Sequence, residues 1–429
     1  MQVEVERLPG SRARLVVTLP AEDVTRAMDE AFKTLVRRYE VPGFRRGKAP
    51  RHVFERYVGR SVLLREAAER LVDQSYPEAV REAGVEPVEG PSIQFRQVGD
   101  GQALVYTAEM AVKPVIDLGD YRDLLHEPLE VGEVTDELVE AELKAAAEEE
   151  AQWVPATEED PVEVGSRVVL DLTGRREGEE EPFAETSDYA VEVGRGTLLE
   201  GLEAQLIGLK LNQHVTLSVT YPEDYPDPSV AGKPAVFDVT VKEHKRREVP
   251  PVDDELARAK GLADLKELRE QMANRVRERL EREARERRLA NVLRRLKERV
   301  AFEVPAPLVN RVVQRQLDDL QHTLSHLGVT MDQYLATRGK TLAAVAEEMR
   351  PGAVERVKDQ LLLEALAKAE ALEVTDEEVV EALRPVAEAI RRPLDQVVGN
   401  LKVSGEFEAL RGNLLVDKAA NFVREPQTA

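Results

Sequence analysis

Hydrophobic and polar positions alternate with a period of two over Gln2 to Leu8 and again over Arg12 to Leu19, with Pro9-Gly10 between them. That pattern predicts two strands joined as a hairpin. From Ala21 to Tyr39 the period changes, and Val24, Met28, Phe32 and Leu35 recur at the spacing of one helical face. The helix has to stop before Pro42, because the residue ahead of a proline is pushed out of the α region. Helical spacing returns over Val53 to Tyr57 and Val62 to Ala83, and strand character over Ile93 to Gln97 and Ala103 to Val112. Residues 1–112 therefore read as one α/β domain, an antiparallel sheet covered by helices.

The pattern then changes style three times. Residues 113–150 contain Pro114 and Pro128, then a helix start at Thr135, and end in Glu148-Glu149-Glu150. Leu138 stands three positions after Thr135, so the Thr can cap the helix but the reciprocal acid is missing. This segment reads as an acidic linker arm. Residues 151–247 show short alternating strands punctuated by Gly and Pro, with candidates at Val168 to Gly174, Tyr189 to Val193, Val215 to Tyr221 and Ala235 to Val241, and a short helix from Leu198 to Ile207. Residues 248–429 are nearly all helix. Leu262 to Val300 is long and charge-laced with Leu265, Met272, Val276 and Leu280 on one stripe, and further helices follow at 306–327, 331–337, 341–371, 376–391 and 406–424. Thr375 with Glu378 forms a capping box. The fold class expected is multidomain α+β, with an α/β domain, an antiparallel-sheet domain and an all-α C-terminal domain.

Between the first two helices lies Gly43-Phe44-Arg45-Arg46-Gly47-Lys48, closed by Pro42 and Pro50. Gly43 and Gly47 can take backbone angles closed to other residues, so a tight exposed loop fits better than a strand. An aromatic flanked by arginines at a loop tip suits docking, the cations on phosphate or carboxylate and the ring in a pocket. The bland alternative is a surface turn whose Phe44 folds back onto its own domain. Charge bears on the choice. From Lys33 to Arg70 there are eleven Lys or Arg against four acids, in a chain of formal net charge -22. Residues 113–150 carry 3 basic against 13 acidic side chains and 151–247 carry 10 against 19, so the basic island belongs to the first domain. Such an island on an acidic chain is an address for a polyanion.

At 429 residues the chain is too long for one core. It has no cysteine, so no disulfide staples it, and a reducing cytoplasm is the expected compartment. The first residues alternate rather than forming a basic-then-apolar signal, and no run approaches the roughly 18 apolar residues of a membrane span. Several chemical signals fail on inspection. Gly196 and Gly201 are spaced as in a phosphate loop, but Leu202-Glu203 follows where Lys and Ser or Thr are needed. His322 and His326 lie four apart on a helix, without the further ligands that a zinc site requires. The arginines from Arg275 to Arg299 alternate with glutamates and read as a solvated, salt-bridged face. No cofactor and no metal are expected.

The loop at 43–48 resembles the ribosome-docking signature of the trigger factor family of bacterial chaperones, and the likeness continues through all 429 residues in the same domain order. Residues 151–247 resemble an FKBP-type peptidyl-prolyl isomerase domain through Asp171-Leu172-Thr173-Gly174, Leu198-Leu199-Glu200-Gly201-Leu202-Glu203, Tyr221-Pro222-Glu223-Asp224-Tyr225 and Phe237-Asp238-Val239. The resemblance implies a ribosome-binding domain over 1–112, the arm over 113–150, the isomerase over 151–247 and a helical chaperone domain over 248–429. It implies that Gly43, Phe44, Arg45, Arg46, Gly47 and Lys48 contact a ribosomal protein and rRNA of the large subunit near the tunnel exit. It further implies unfolded and nascent polypeptides as clients, a homodimer off the ribosome, and no membrane partner. The pocket positions carried over are Leu172, Phe183, Tyr189, Leu198, Leu199, Leu202, Tyr225 and Phe237. Rotation about an X–Pro bond faces a barrier of ~18–20 kcal/mol set by amide resonance, and an apolar pocket favours the twisted, less polarised state without nucleophile or metal. Leu172 and Leu202 stand where the family usually has aromatics, and Ala184 follows Phe183 where small members carry an acid, which implies weaker or narrower activity. Two other functions fit the residues: a stand-alone prolyl isomerase with accessory domains, and an rRNA-binding assembly factor.

Overall fold

The computed structural model describes residues 1–176, 181–196, 198–199, 201–222 and 230–427. The chain divides into two compact units, one made of residues 1–129 with 285–429 and the other of residues 130–284.

The first unit begins with Gln2–Leu8 (β1) and Arg12–Leu19 (β2), followed by Ala21–Arg38 (α1), Arg51–Val58 (α2), Arg60–Ala83 (α3), Ser92–Gln97 (β3) and Leu104–Ala111 (β4). The strands form one antiparallel sheet in the order β1-β2-β4-β3. Period-two alternation in β2 turns Ala13, Leu15, Val17 and Leu19 to one buried face. The apolar stripe of α1 (Val24, Met28, Leu35) and that of α3 (Leu63, Ala67, Leu71) join the same core. Tyr106 brings a hydroxyl into it, placed 2.8 Å from the Ser75 hydroxyl, and Ser75 Oγ lies 2.6 Å from the Leu71 carbonyl. The buried hydroxyls are thus satisfied, as burial demands. Residues after β4 do not stand free. Leu118, Tyr121 and the single turn Arg122–Leu125 (α4) are buried among helical residues from the far end of the chain.

The second unit holds Asp136–Glu149 (α5), Gln152–Pro155 (β5), Arg167–Arg176 (β6), Pro182–Glu192 (β7), Leu202–Leu206 (α6), His214–Thr220 (β8), Pro234–Glu248 (β9), Asp254–Ala259 (α7) and the start of Leu265–Arg299 (α8). Thr135 caps α5 by accepting the Leu138 N–H, with no reciprocal acid. The helix is packed rather than free: Val139, Leu143, Ala146 and Ala147 share a core with Leu256, Ala257, Leu268 and Met272. Its acidic end is neutralised by Lys260, 2.8 Å from Glu149 and 2.9 Å from Glu150. The sheet runs β5-β9-β6-β7, and β8 also pairs with β9. β9 is long enough for β8 to pair with its first half and β5 with its last four residues.

After α8 the first unit resumes with Ala306–His326 (α9), Met331–Arg338 (α10), Leu342–Ala369 (α11), Asp376–Ala389 (α12), Leu394–Ser404 (α13) and Glu406–Arg424 (α14). Val309, Val313 and Leu317 of α9 pack with Val345, Val357 and Leu361 of α11. The capping box at Thr375 and Glu378 is formed. Sequence patterning passed over β5, α7 and α13, and it drew the helix from Leu198 to Ile207 longer than the observed Leu202–Leu206.

One buried ionisable group gives the second unit a pH dependence. His244 in β9 is buried, with Nε2 3.0 Å from Ser166 Oγ. Desolvation pulls its pKa below the ordinary 6.5, against the opposing charges of Asp160 and Glu163. The folded state therefore favours the neutral ring, and unfolding takes up a proton below 6.5. Its contribution is fully present above pH 6.5 and declines as pH falls through and below that value. Denaturation followed by Trp153, the single tryptophan, should show a lower midpoint at pH 5.5 than at 7.5, and His244→Gln should weaken that dependence.

Candidate functional site

Two places bring together the residues that the sequence singled out. The first is the loop between α1 and α2. Val41 and Ala49 at its ends are buried in the sheet core and pin it. Between them the chain makes two turns, with Phe44 N–H donating to Val41 O (3.1 Å) and Lys48 N–H to Arg45 O (2.9 Å), while Gly47 N–H reaches Val36 O (3.0 Å). Gly43 and Gly47 take φ of +83° and +75°, and a Cβ on Gly47 would come 3.3 Å from Arg37 Cγ. These are the left-handed angles that the two glycines make accessible.

Phe44 is 43% exposed, so the ring does not fold back into the core. Arg45, Arg46 and Lys48 are exposed as well. Arg46 meets Glu40 at 2.9 Å, a pair exposed on both sides and so easily exchanged for another anion. Among the described residues, Arg45 and Lys48 have no ion-pair partner. Beneath the loop, Phe54 is fully buried and takes the edges of Phe32 and Tyr39 at 5.6 and 6.1 Å between centroids. Tyr57 of α2, more exposed than Phe44, adds a second outward ring that helical spacing did not separate from the buried side.

The second place is a cavity of about 920 Å³ in the second unit. Leu172 of β6, Leu198, Leu199, Leu202 of α6 and Phe237 of β9, positions that the resemblance singles out, line it. Phe183 stands behind, edge-on to Phe237 at 6.1 Å and to Tyr221 at 6.3 Å. Tyr189 packs half-buried against the same core without lining the cavity. Tyr225 lies outside the described residues. Tyr221, which the resemblance does not assign to the pocket, also lines it, 6.4 Å from Phe237 between ring centroids. Its position at the end of a strand pattern hid it.

The rings close on bare main chain. A Cβ on Gly174 would fall 2.8 Å from Phe237 Cε1 and 3.1 Å from Phe183 Cζ, so nothing larger than glycine fits there without displacing a ring. The lining offers leucine and aromatic surface, which can take an amide out of water and favour its less polar, twisted state. By contrast His322 and His326 sit exposed with ring centroids 4.5 Å apart, edge to face, and belong to neither place. Gly174→Ala should destabilise the second unit by about 1–3 kcal/mol through overpacking. Denaturant unfolding read at Trp153 measures it.

Comparison with known proteins fits this layout. Residues 1–146 match the family described as bacterial trigger factor protein, residues 264–425 its C-terminus, and residues 158–242 the FKBP-type peptidyl-prolyl cis-trans isomerase family. The trigger factor of Bacillus subtilis is 38% identical over 427 residues, covering 99% of this chain and 100% of its own. That of Carboxydothermus hydrogenoformans is 38% identical over 398 residues, covering 92% and 93%. A solved structure from work on promiscuous substrate recognition by the trigger factor chaperone shares the fold, with a TM-score of 0.53 and 21% identity over 100% of both chains.

Proposed function

The chain belongs to the trigger factor family of bacterial chaperones and carries an FKBP-type prolyl isomerase domain, and we propose that the loop from Gly43 to Lys48 is its ribosome anchor. The observation that carries this reading is an exposed ring followed by three exposed cations on a loop pinned at both ends. Phe44 seats in a pocket of a ribosomal protein of the large subunit, and Arg45, Arg46 and Lys48 meet its carboxylates and the neighbouring rRNA phosphates near the tunnel exit. Gly43 and Gly47 set the turns that present them.

Nascent and unfolded polypeptides are held on the helical part. α10 and α13 bury no residue of their own, and Leu327 and Val403 are 71% and 91% exposed. Scattered aliphatic side chains among charges suit weak contact with many sequences. X–Pro bonds turn in the cavity of Leu172, Leu198, Leu199, Leu202, Tyr221 and Phe237, with Phe183 and Tyr189 supporting its aromatic wall. No cofactor is required. No helix among the described residues is long and apolar enough to cross a membrane. We place the protein in the cytoplasm, as a homodimer when off the ribosome.

Exchanging Phe44, Arg45 and Arg46 together for Ala should abolish co-sedimentation with ribosomes while leaving thermal unfolding unchanged. Unchanged pelleting would refute the anchor. Phe237→Ala should lower isomerisation of short X–Pro peptides by about tenfold or more through loss of the apolar wall, yet leave suppression of aggregation intact. If holding fell with isomerisation, the two activities would share one surface and this division would be wrong.

A further inference from the structure

At the mouth of the cavity one carboxylate gathers several main-chain donors. Glu203, in the first turn of α6, accepts the N–H of Gly194 at 3.0 Å and of Gly196 at 3.2 Å on Oε2, and that of Leu198 at 3.1 Å on Oε1. Gly194 and Gly196 have φ of +94° and +68°, left-handed angles that glycine makes accessible. Converging N–H groups of this kind ordinarily make a concavity for a bound anion. Here the anion is a side chain of the same unit. It is held in turn by a short helix whose Leu202 and Leu206 are buried.

The segment so gathered is the cavity wall. Gly194, Gly196, Leu198, Leu199 and Glu203 all line it. Main chain on a surface rim, with two glycines at left-handed angles, has many other conformations open to it. The carboxylate selects one of them, and that one sets Leu198 and Leu199 at the mouth. Rotation about an X–Pro bond transfers no proton, so the reaction asks for no acid or base. The oxygens of Glu203 already accept from the rim, which leaves its role one of position.

We propose that Glu203 is a positioning residue for prolyl isomerisation. It pre-orders the rim that receives the peptide, so that binding does not have to order it. The proposal rests on the cavity being the proline site, and the test separates the two. Full-length Glu203→Ala, Glu203→Gln and Phe237→Ala are assayed for kcat/KM on short X–Pro peptides, for amide hydrogen exchange and for aggregation suppression. Glu203→Ala should lower kcat/KM about tenfold by releasing the rim. Exchange should accelerate at Gly194, Gly196 and Leu198 but not in β6 or β9, with holding unaffected. Glu203→Gln keeps one acceptor oxygen and should recover part of the loss. The proposal is overturned if Glu203→Ala stays within about twofold of the parent while Phe237→Ala abolishes activity, since a released rim would then cost nothing. It is equally overturned if Ala and Gln lose activity alike with the sheet amides opening too, which marks a residue of general stability. If Phe237→Ala leaves kcat/KM unchanged, the cavity is not the site and the premise falls with the proposal.

Discussion

Among the described residues, one buried guanidinium ties the segment after the sheet to the last helix of the first unit. Arg288 of α8 is 7% exposed, and its nitrogens donate to the carbonyls of Leu125 (2.6 Å), Val423 (2.8 Å) and Glu127. A buried charge is tolerable only when its donors are satisfied, and here main-chain acceptors from two remote segments satisfy them. Ion pairs surround this clasp. Arg299 takes Asp123 in a bidentate grip at 2.8 and 2.7 Å, holding that carboxyl's pKa down to about 2. Arg295 pairs with Glu127, and Arg285 with Glu425 at 2.7 Å. Leu118, Leu124, Leu362, Leu366 and Val423 supply the apolar part of the same junction.

The two sites place opposite demands on their surroundings. The loop leaves an aromatic ring and its cations exposed to water, and its main chain is fixed from below by Val41, Ala49 and the buried Phe54. The cavity must keep water out, so its rings are stacked against the bare backbone of Gly174 and its mouth is gathered onto Glu203. In both, glycine makes the geometry possible and an apolar anchor makes it stable. Neither site needs a reactive group.

Much of this was legible because the periodicities are clean where a face is buried. β2 buries its alternate residues, and α1 buries Val24, Met28 and Leu35 of the stripe that its spacing singles out and half-buries Phe32. The missed elements lack that signal: α13 buries nothing, α7 is six residues and β5 is four. α5 reads as part of a linker because its acids dominate its composition, while its packing shows in the helical spacing of Val139, Leu143 and Ala146. Leu172, Leu198, Leu199, Leu202 and Phe237 were found by likeness to a family. Tyr221 was missed, because a residue ending an alternating run does not reveal which way it turns. Arg288 was invisible for a different reason. It stands in a run of alternating arginines and glutamates, and nothing local distinguishes one buried member from its solvated neighbours. Glu203 looked like an ordinary acid in a helix's first turn.

The discontinuity of the first unit has a consequence for how the chain acquires its structure as it is made. The sheet core draws on residues 3–112 and can close as soon as they are available. The second unit, residues 130–284, is contiguous and can follow. The core around Leu118 and Leu124 cannot, because its other walls come from α11 and α14. That junction waits for nearly the whole polypeptide and bears the entropy of closing a very long loop. During translation the helical part therefore spends the longest interval incomplete, with its aliphatic seams open, and is itself a polypeptide in need of the shelter that such surfaces provide.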